Sequence, residues 1–224
     1  MPSPTLSGPT APAASGGKPK QLVVMLHGVG ADGHDLIDLA PYFARALPDA
    51  EFVSPDAPFP YDMAPYGRQW FSLSDRRPEI IAAGVRASAP LVNRFLDEEL
   101  ARRDLADDAL ALMGFSQGTM MALHVALRRA KPCAAVLGYS GMLAGPETLA
   151  VEITARPPVL LVHGERDEVV PAGAMPLAAA ALTAAGVPVQ SHLRPGLGHG
   201  IDEDGIALGL DFLVRYLPPD QMMR

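Results

Sequence analysis

Hydrophobic and polar positions fall into two alternating regimes along the chain. Short runs that are apolar at most positions and rich in Val and Leu occupy Gln21–Leu26, Glu51–Ser54, Ala109–Met113, Ala134–Tyr139, Pro158–His163 and Val189–Arg194. A strand that is apolar along its length belongs in a sheet covered on both faces. Between these runs lie Asp35–Ala46, Glu79–Arg103, Gln117–Ala130, Ala172–Ala185 and Glu203–Tyr216, where apolar residues recur with helical spacing. Strand–helix alternation gives parallel strands joined by right-handed crossovers. The pattern therefore predicts a doubly wound, mostly parallel α/β sheet of about six or more strands, with helices on both faces. In such sheets chemistry collects in the loops beyond the carboxyl ends of the strands. The residues just past each strand are thus the informative part of the sequence.

Composition narrows the picture. A length of 224 residues suits one domain with an ample core. We expect residues 21–224 to form that domain, preceded by a flexible arm over residues 1–20, which are rich in Pro, Ser, Ala and Gly. The arm has no apolar core behind basic residues, so a signal peptide is not expected. The uncharged stretch Val169–Ser191 is interrupted by Pro171, Gly173, Pro176, Gly186 and Pro188 and reads as an alanine-rich helix beside a sheet, not as a membrane span. With Lys+Arg 18 against Asp+Glu 25, the net charge is −7, and no basic block favours nucleic acid. Nor does a polybasic patch or lipid anchor suggest stable membrane attachment. The one cysteine, Cys133, cannot form an internal disulfide, which agrees with a cytoplasmic location. It comes after Pro132 at the head of an apolar strand and reads as buried rather than reactive.

Three post-strand loops carry the candidate chemistry. After Ala109–Met113 comes Gly114-Phe115-Ser116-Gln117-Gly118 and then a helical run, the strand–turn–helix setting of a nucleophile elbow. Flanking glycines suit a turn in which the serine backbone is strained and neighbouring main chain lies close. After Pro158–His163 come Gly164-Glu165-Arg166-Asp167-Glu168, and after Val189–Arg194 comes Pro195-Gly196-Leu197-Gly198-His199-Gly200. The chain order Ser116, Asp167, His199 is the one expected of an α/β-hydrolase, with all three on one edge of the sheet. Glu165 and Glu168 flank Asp167 as rivals. Of the other histidines, His27, His124, His163 and His192 fall at strand ends or inside elements, where hydrogen-bonded structural roles are usual; only His199 lies in a glycine-lined loop after the last strand.

A serine attacking a carbonyl needs preset donors for the oxyanion. One is expected at the N–H of Gln117; the other comes from the first strand–helix loop, His27-Gly28-Val29-Gly30-Ala31-Asp32-Gly33, whose glycines permit close approach of backbone. No G-x-x-x-x-G-K-[ST] accompanies that loop, which speaks against phosphate binding. Nine of the 21 glycines fall within these catalytic stretches.

Taken together, His27–Gly33, Gly114–Gly118, His163–Pro171 and Gly198–Gly200 resemble the phospholipase/carboxylesterase family of small serine hydrolases, which includes bacterial carboxylesterases and acyl-protein thioesterases. The likeness spans roughly Gln21 to Leu217. It implies an α/β-hydrolase fold without a large cap domain, Ser116 as nucleophile, His199 as general base, Asp167 as orienting acid, and main-chain oxyanion donors at Val29 and Gln117. Val29 stands where relatives often have Leu, and Thr119 where many have a second glycine. Without a cap, loops select the substrate. Met63–Leu73 is the expected wall, with Met63, Trp70, Phe71 and Leu73 as candidates and Met142 and Leu143, after the strand ending at Tyr139, as further candidates for the same pocket, although Trp70 would equally serve to anchor the loop to the core.

The expected reaction is hydrolysis of small to medium carboxylic esters through an acyl-enzyme, with no metal or cofactor and a small-molecule ester as partner; a homodimer is allowed for. The runner-up is a thioesterase or lysophospholipase for longer acyl chains. An acyltransferase would use the same intermediate. A catalytically silent binding protein on this fold is a further alternative, which predicts loss of a triad member; none is lost.

Overall fold

The computed structural model describes residues 5–217. Residues 1–4 of the expected arm and 218–224 of the expected domain lie outside the described residues.

A single seven-stranded sheet organises the chain. In chain order its elements are β1 (Thr10–Ala11), β2 (Gln21–Leu26), α1 (Gly33–Ile37), α2 (Ala40–Ala44) and β3 (Ala50–Val53). A two-stranded hairpin comes next, β4 (Phe59–Pro60) and β5 (Arg68–Gln69), then α3 (Pro78–Arg103), β6 (Leu110–Phe115), α4 (Gln117–Ala126) and β7 (Ala135–Tyr139). The chain ends with α5 (Pro146–Glu152), β8 (Val159–Gly164), α6 (Ala174–Ala184), β9 (Val189–Arg194) and α7 (Glu203–Tyr216). The spatial order is β1-β3-β2-β6-β7-β8-β9, parallel throughout except for β1 on β3.

Period-two alternation explains the continuous apolar runs. Along β2, Leu22, Val24 and Leu26 face one core with α3, α4 and α6, while Val23 and Met25 face a second with α1, α2 and α7. Both faces are covered, as a mostly parallel sheet requires. The chain order of strands turns outward from β2 in two directions, and the loops at their carboxyl ends gather beside β6. Among the described residues, no helix is long and apolar enough to cross a membrane; the uncharged stretch from Val169 holds the eleven-residue α6.

Three expectations need correction. The N-terminal arm is not loose from Thr5 onward: Thr10 and Ala11 pair with Val53 and Phe52, Ser54 N–H donates to Pro9 O at 3.0 Å, and Leu6 is buried. The segment covers the β3 edge, which would otherwise present unpaired backbone groups. Asp35–Ala46 is two short helices rather than one, because Pro41 sits in the first turn of α2 and supplies no N–H to continue α1. Finally, β9 is not apolar throughout; as the edge strand it is fully buried at no position and leaves Gln190, Ser191 and Leu193 exposed.

Candidate active site

Ser116 lies between the end of β6 and the first residue of α4, with φ 53° and ψ −114°. A side chain in the positive-φ region is strained, and the surroundings enforce it. Ser116 N–H donates to Tyr139 O at 2.9 Å, while Ser116 O accepts from the N–H groups of Thr119 and Met120 at the start of the helix. The glycine at position 118 is demanded by space: a Cβ at Gly118 would overlap the main-chain oxygen of Leu26 on the neighbouring strand. Thr119 also contributes, its hydroxyl lying 2.8 Å from Gly114 O and 2.9 Å from Tyr139 O, so it ties the elbow to β7 where a glycine could not.

Two strands further along the same sheet edge, the structure brings Asp167 and His199 together. His199 Nδ1 is 2.7 Å from Asp167 Oδ2. The Asp167 side chain is fully buried, whereas His199 retains some exposure. The other carboxylate oxygen, Oδ1, accepts the N–H groups of Val169 and Val170, each at 2.9 Å. Burial pushes the Asp167 carboxyl up, but the His199 bond and these two main-chain donors outweigh it and leave the pKa below its usual value. Asp167 is therefore a carboxylate acceptor, and His199 donates from Nδ1 and keeps the Nε2 lone pair free. Of the rivals, Glu165 accepts the N–H of Gly196 at 3.0 Å and braces the loop leading to His199.

Contacts from the strand ends aim the histidine loop. The His199 ring packs on Phe115, the residue before Ser116, with centroids 4.9 Å apart. The Ser140 hydroxyl donates to Gly200 O at 3.2 Å. His163, a fully buried residue at the end of β8, places Nε2 2.9 Å from Val170 O and 3.2 Å from Asp167 Oδ2. Sequence reasoning treated His163 as structural; its position four residues before Asp167 was the available sign that it would touch the acid.

On the other side of Ser116 lies the loop after β2. A Cβ on Gly28 would stand 3.4 Å from Ser116 Cβ, which sets this loop directly beside the serine. Gly30 N–H donates to Arg68 O and Ala31 N–H to Gly28 O; among the described residues the Val29 N–H has no partner. Gln117 is the first residue of α4, where helices leave N–H groups without intrahelical acceptors. The loop that carries Val29 thus lies beside Ser116, and Gln117 follows the serine directly in the chain.

The wall residues separate into two groups. Trp70 is wholly buried, its indole N–H donating to His27 O at 2.9 Å and its main-chain N–H to Gln117 Oε1 at 2.9 Å. It presents no face to a ligand, so its expected place in the substrate wall is corrected: it anchors the loop. Phe71 is also buried but borders an open hollow shared with Phe59, Tyr61 and Ser88. Leu73 packs against the main core, and Met63 is 71% exposed. Met142 lines a separate apolar cavity of about 220 Å³ with Pro78, Leu143, Pro146, Leu177 and Ala178. Glu147 also lines that cavity, and neither Ser116 nor His199 does.

The phospholipase/carboxylesterase family model matches residues 11–216. The chain belongs to that family. Among its relatives, esterase YpfH of Escherichia coli K12 is 32% identical over 201 residues, covering 89% of this chain and 84% of that protein. Acyl-protein thioesterase 1 of Gibberella zeae is 25% identical over 214 residues, or 88% of this chain and 91% of that protein. The solved structure of esterase PE8 superposes with a TM-score of 0.91 at 40% identity, covering 95% of this chain and all of that one. Family membership and the uncapped seven-stranded sheet establish the α/β-hydrolase fold read from the sequence.

Proposed function

We propose that this chain, a carboxylic ester hydrolase by family, cleaves small to medium carboxylic esters through an acyl-enzyme on Ser116. The observation that carries the reading is the strained serine just past β6 on the same sheet edge as the hydrogen-bonded Asp167–His199 pair. Ser116 Oγ attacks the carbonyl carbon as His199 Nε2 takes its proton. The charge that develops on the carbonyl oxygen is met by the N–H groups of Val29 and Gln117. His199 then gives the proton to the departing alcohol. Water, deprotonated by the same nitrogen, releases the acid and restores the serine. Asp167 holds the imidazole in the tautomer this sequence requires.

The mostly apolar lining of the cavity at Met142 and Leu177, with Glu147 on its wall, supports an acyl group held by apolar contact. Cys133, whose thiol burial pushes up to about 12, needs no oxidising compartment, and we place the chain in the cytoplasm.

Replacing Ser116 with alanine tests the reading. Hydrolysis of a short-chain aryl ester is expected to vanish with little change in melting temperature, and retained turnover would reject Ser116 as nucleophile. Rates on matched esters and thioesters of increasing acyl length separate this reading from a long-chain thioesterase or lysophospholipase, for which the thioester or the longest chain would be preferred.

A further inference from the structure

His27 is buried, close to the candidate chemistry, and unused by the proposed reaction. Its imidazole makes two hydrogen bonds. Nδ1 lies 2.7 Å from Gly28 O, and Nε2 lies 3.0 Å from the main-chain nitrogen of Ala57. The Ala57 N–H can only donate, so Nε2 accepts and the ring proton sits on Nδ1, pointing at Gly28 O. Burial, which keeps the ring below the usual histidine range, agrees with this uncharged form.

Where that proton points matters because of what shares the peptide. Gly28 C=O and Val29 N–H belong to one planar unit and face opposite ways. Holding the oxygen therefore aims the N–H. Gly28 O is held twice, by His27 Nδ1–H and by Ala31 N–H at 3.3 Å. The turn between them needs Gly30 at φ +83°, which leaves the loop little freedom of its own once both bonds are made.

The second expected donor is tied into the same unit. The Gln117 side chain accepts Trp70 N–H at 2.9 Å and donates to Phe71 O at 2.8 Å. Trp70 in turn donates its indole N–H to His27 O, and the Ser88 hydroxyl secures Trp70 O at 2.6 Å. A chain of buried hydrogen bonds thus runs from Gln117 through Trp70 to His27.

We propose that His27 is the positioning residue of the oxyanion hole: by donating from Nδ1 to Gly28 O it sets the Val29 N–H against the substrate carbonyl oxygen, and Trp70 couples that setting to Gln117. The inference rests on Ser116 being the nucleophile. His27 touches no reacting atom; it acts through the Gly28–Val29 peptide. A preset donor is worth roughly a hundredfold to a thousandfold in kcat, and a misdirected one forfeits part of that.

Two near-isosteric variants divide the two bonds. In His27→Asn the amide nitrogen falls near the Nδ1 position, keeping the donor to Gly28 O and giving up the acceptor for Ala57. In His27→Gln the terminal amide falls near Nε2, keeping the acceptor and giving up the donor. Each loses one buried hydrogen bond, so their melting temperatures should drop by similar amounts. His27→Gln is expected to lose roughly tenfold to a hundredfold in kcat with KM nearly unchanged. Its affinity for a trifluoromethyl ketone, which forms an oxyanion on the serine, should weaken in step. The conservative His27→Asn should restore most of the lost kcat. Equal kcat losses in both variants, or losses that follow stability alone, would overturn the assignment.

If neither folds, Trp70→Phe keeps a smaller aromatic ring in place and removes the N–H to His27 O. A several-fold fall in kcat at constant KM supports the coupling, and an unchanged kcat refutes it. Fluorophosphonate labelling of Ser116 separates the two levels of failure. Loss of label in Ser116→Ala with undiminished turnover sinks the nucleophile. Normal labelling with no split between the His27 variants sinks only the positioning role of His27.

Discussion

Asp167→Asn is the sharpest probe of the candidate site, because every partner of the carboxylate is known. Oδ1 accepts two main-chain N–H groups at 2.9 Å, and Oδ2 faces His199 Nδ1 at 2.7 Å and His163 Nε2 at 3.2 Å. An asparagine can keep its oxygen on the main-chain donors only by turning its NH₂ toward the two histidines. His163 cannot yield, since its Nε2–H also serves Val170 O. The remaining relief is for His199 to accept at Nδ1, which moves its proton to Nε2 and leaves no lone pair for Ser116. The wrong tautomer in this position costs on the order of 10⁴ in kcat, about 5 kcal/mol of barrier. The loss in stability is smaller, roughly 1–3 kcal/mol for exchanging charge-assisted bonds to a buried carboxylate for mismatched ones. Initial rates on an aryl ester, with urea unfolding of the same preparations, measure both. Glu165→Gln is the companion, expected to keep activity because Glu165 bonds Gly196 N–H and not His199. Asp167→Asn within tenfold of wild type, or a collapse confined to Glu165→Gln, would refute the assignment of the acid.

Three further outcomes are expected from the same structure. His124 is buried on α4 and, through burial first and the charge of Arg128 second, has its pKa lowered to about 4; since the unfolded chain takes up that proton near pH 6.5, stability is complete above 6.5 and should decline by about 3 kcal/mol toward pH 4. Urea midpoints across that range should show the slope, and His124→Leu should reduce it, leaving the part that the buried His27 contributes. Gly118→Ala should abolish soluble, active protein because its Cβ meets main-chain oxygen, whereas Gly200→Ala, with nothing within 4 Å of the added atom, should melt within a few degrees of wild type. Thr119→Val should lower stability by about 1–2 kcal/mol through loss of the hydroxyl bonds to Gly114 O and Tyr139 O, read by thermal melting.

How much of the fold and site was legible in the sequence depended on whether the cause was local. Strands β2, β6, β7 and β8 are buried on both faces, so each is a continuous apolar run that any window of the sequence reveals. Ser116 and Asp167 each come just after such a run, whereas His199 follows the exposed edge strand β9 and stood out by its glycine-lined loop; strand ends on one edge converge whatever the details between. The N-terminal segment was misread because Thr10 and Ala11 have no pattern of their own; their order comes from pairing with Phe52 and Val53. The sequence leaves Trp70 two roles, wall or anchor, because whether an indole faces a ligand or the core is decided by tertiary partners, here His27 O and Gln117 Oε1. The glycines were only partly understood. Gly118 is required by main chain from β2, but Gly200 has open space around it, so motif membership alone does not make a glycine necessary.

The two sides of Ser116 differ in a way that bears on how this scaffold can vary. The side that would hold the oxyanion is built from His27, Trp70, Gln117 and Ser88, all buried and bonded to one another or to main chain. A change there leaves a buried donor or acceptor unmatched and should fall on kcat. The cavity proposed for the acyl group is lined by Met142, Leu143, Pro146, Glu147 and Leu177, and Leu177 is 74% exposed. Apolar side chains at an open rim can be exchanged without leaving a polar group unmatched, so changes there should fall on substrate range and KM. In the proposed reading the chemistry and the choice of ester rest on different physical interactions, hydrogen bonds around His27 and Gln117 and apolar contact around Met142, which would let one alter while the other stays fixed.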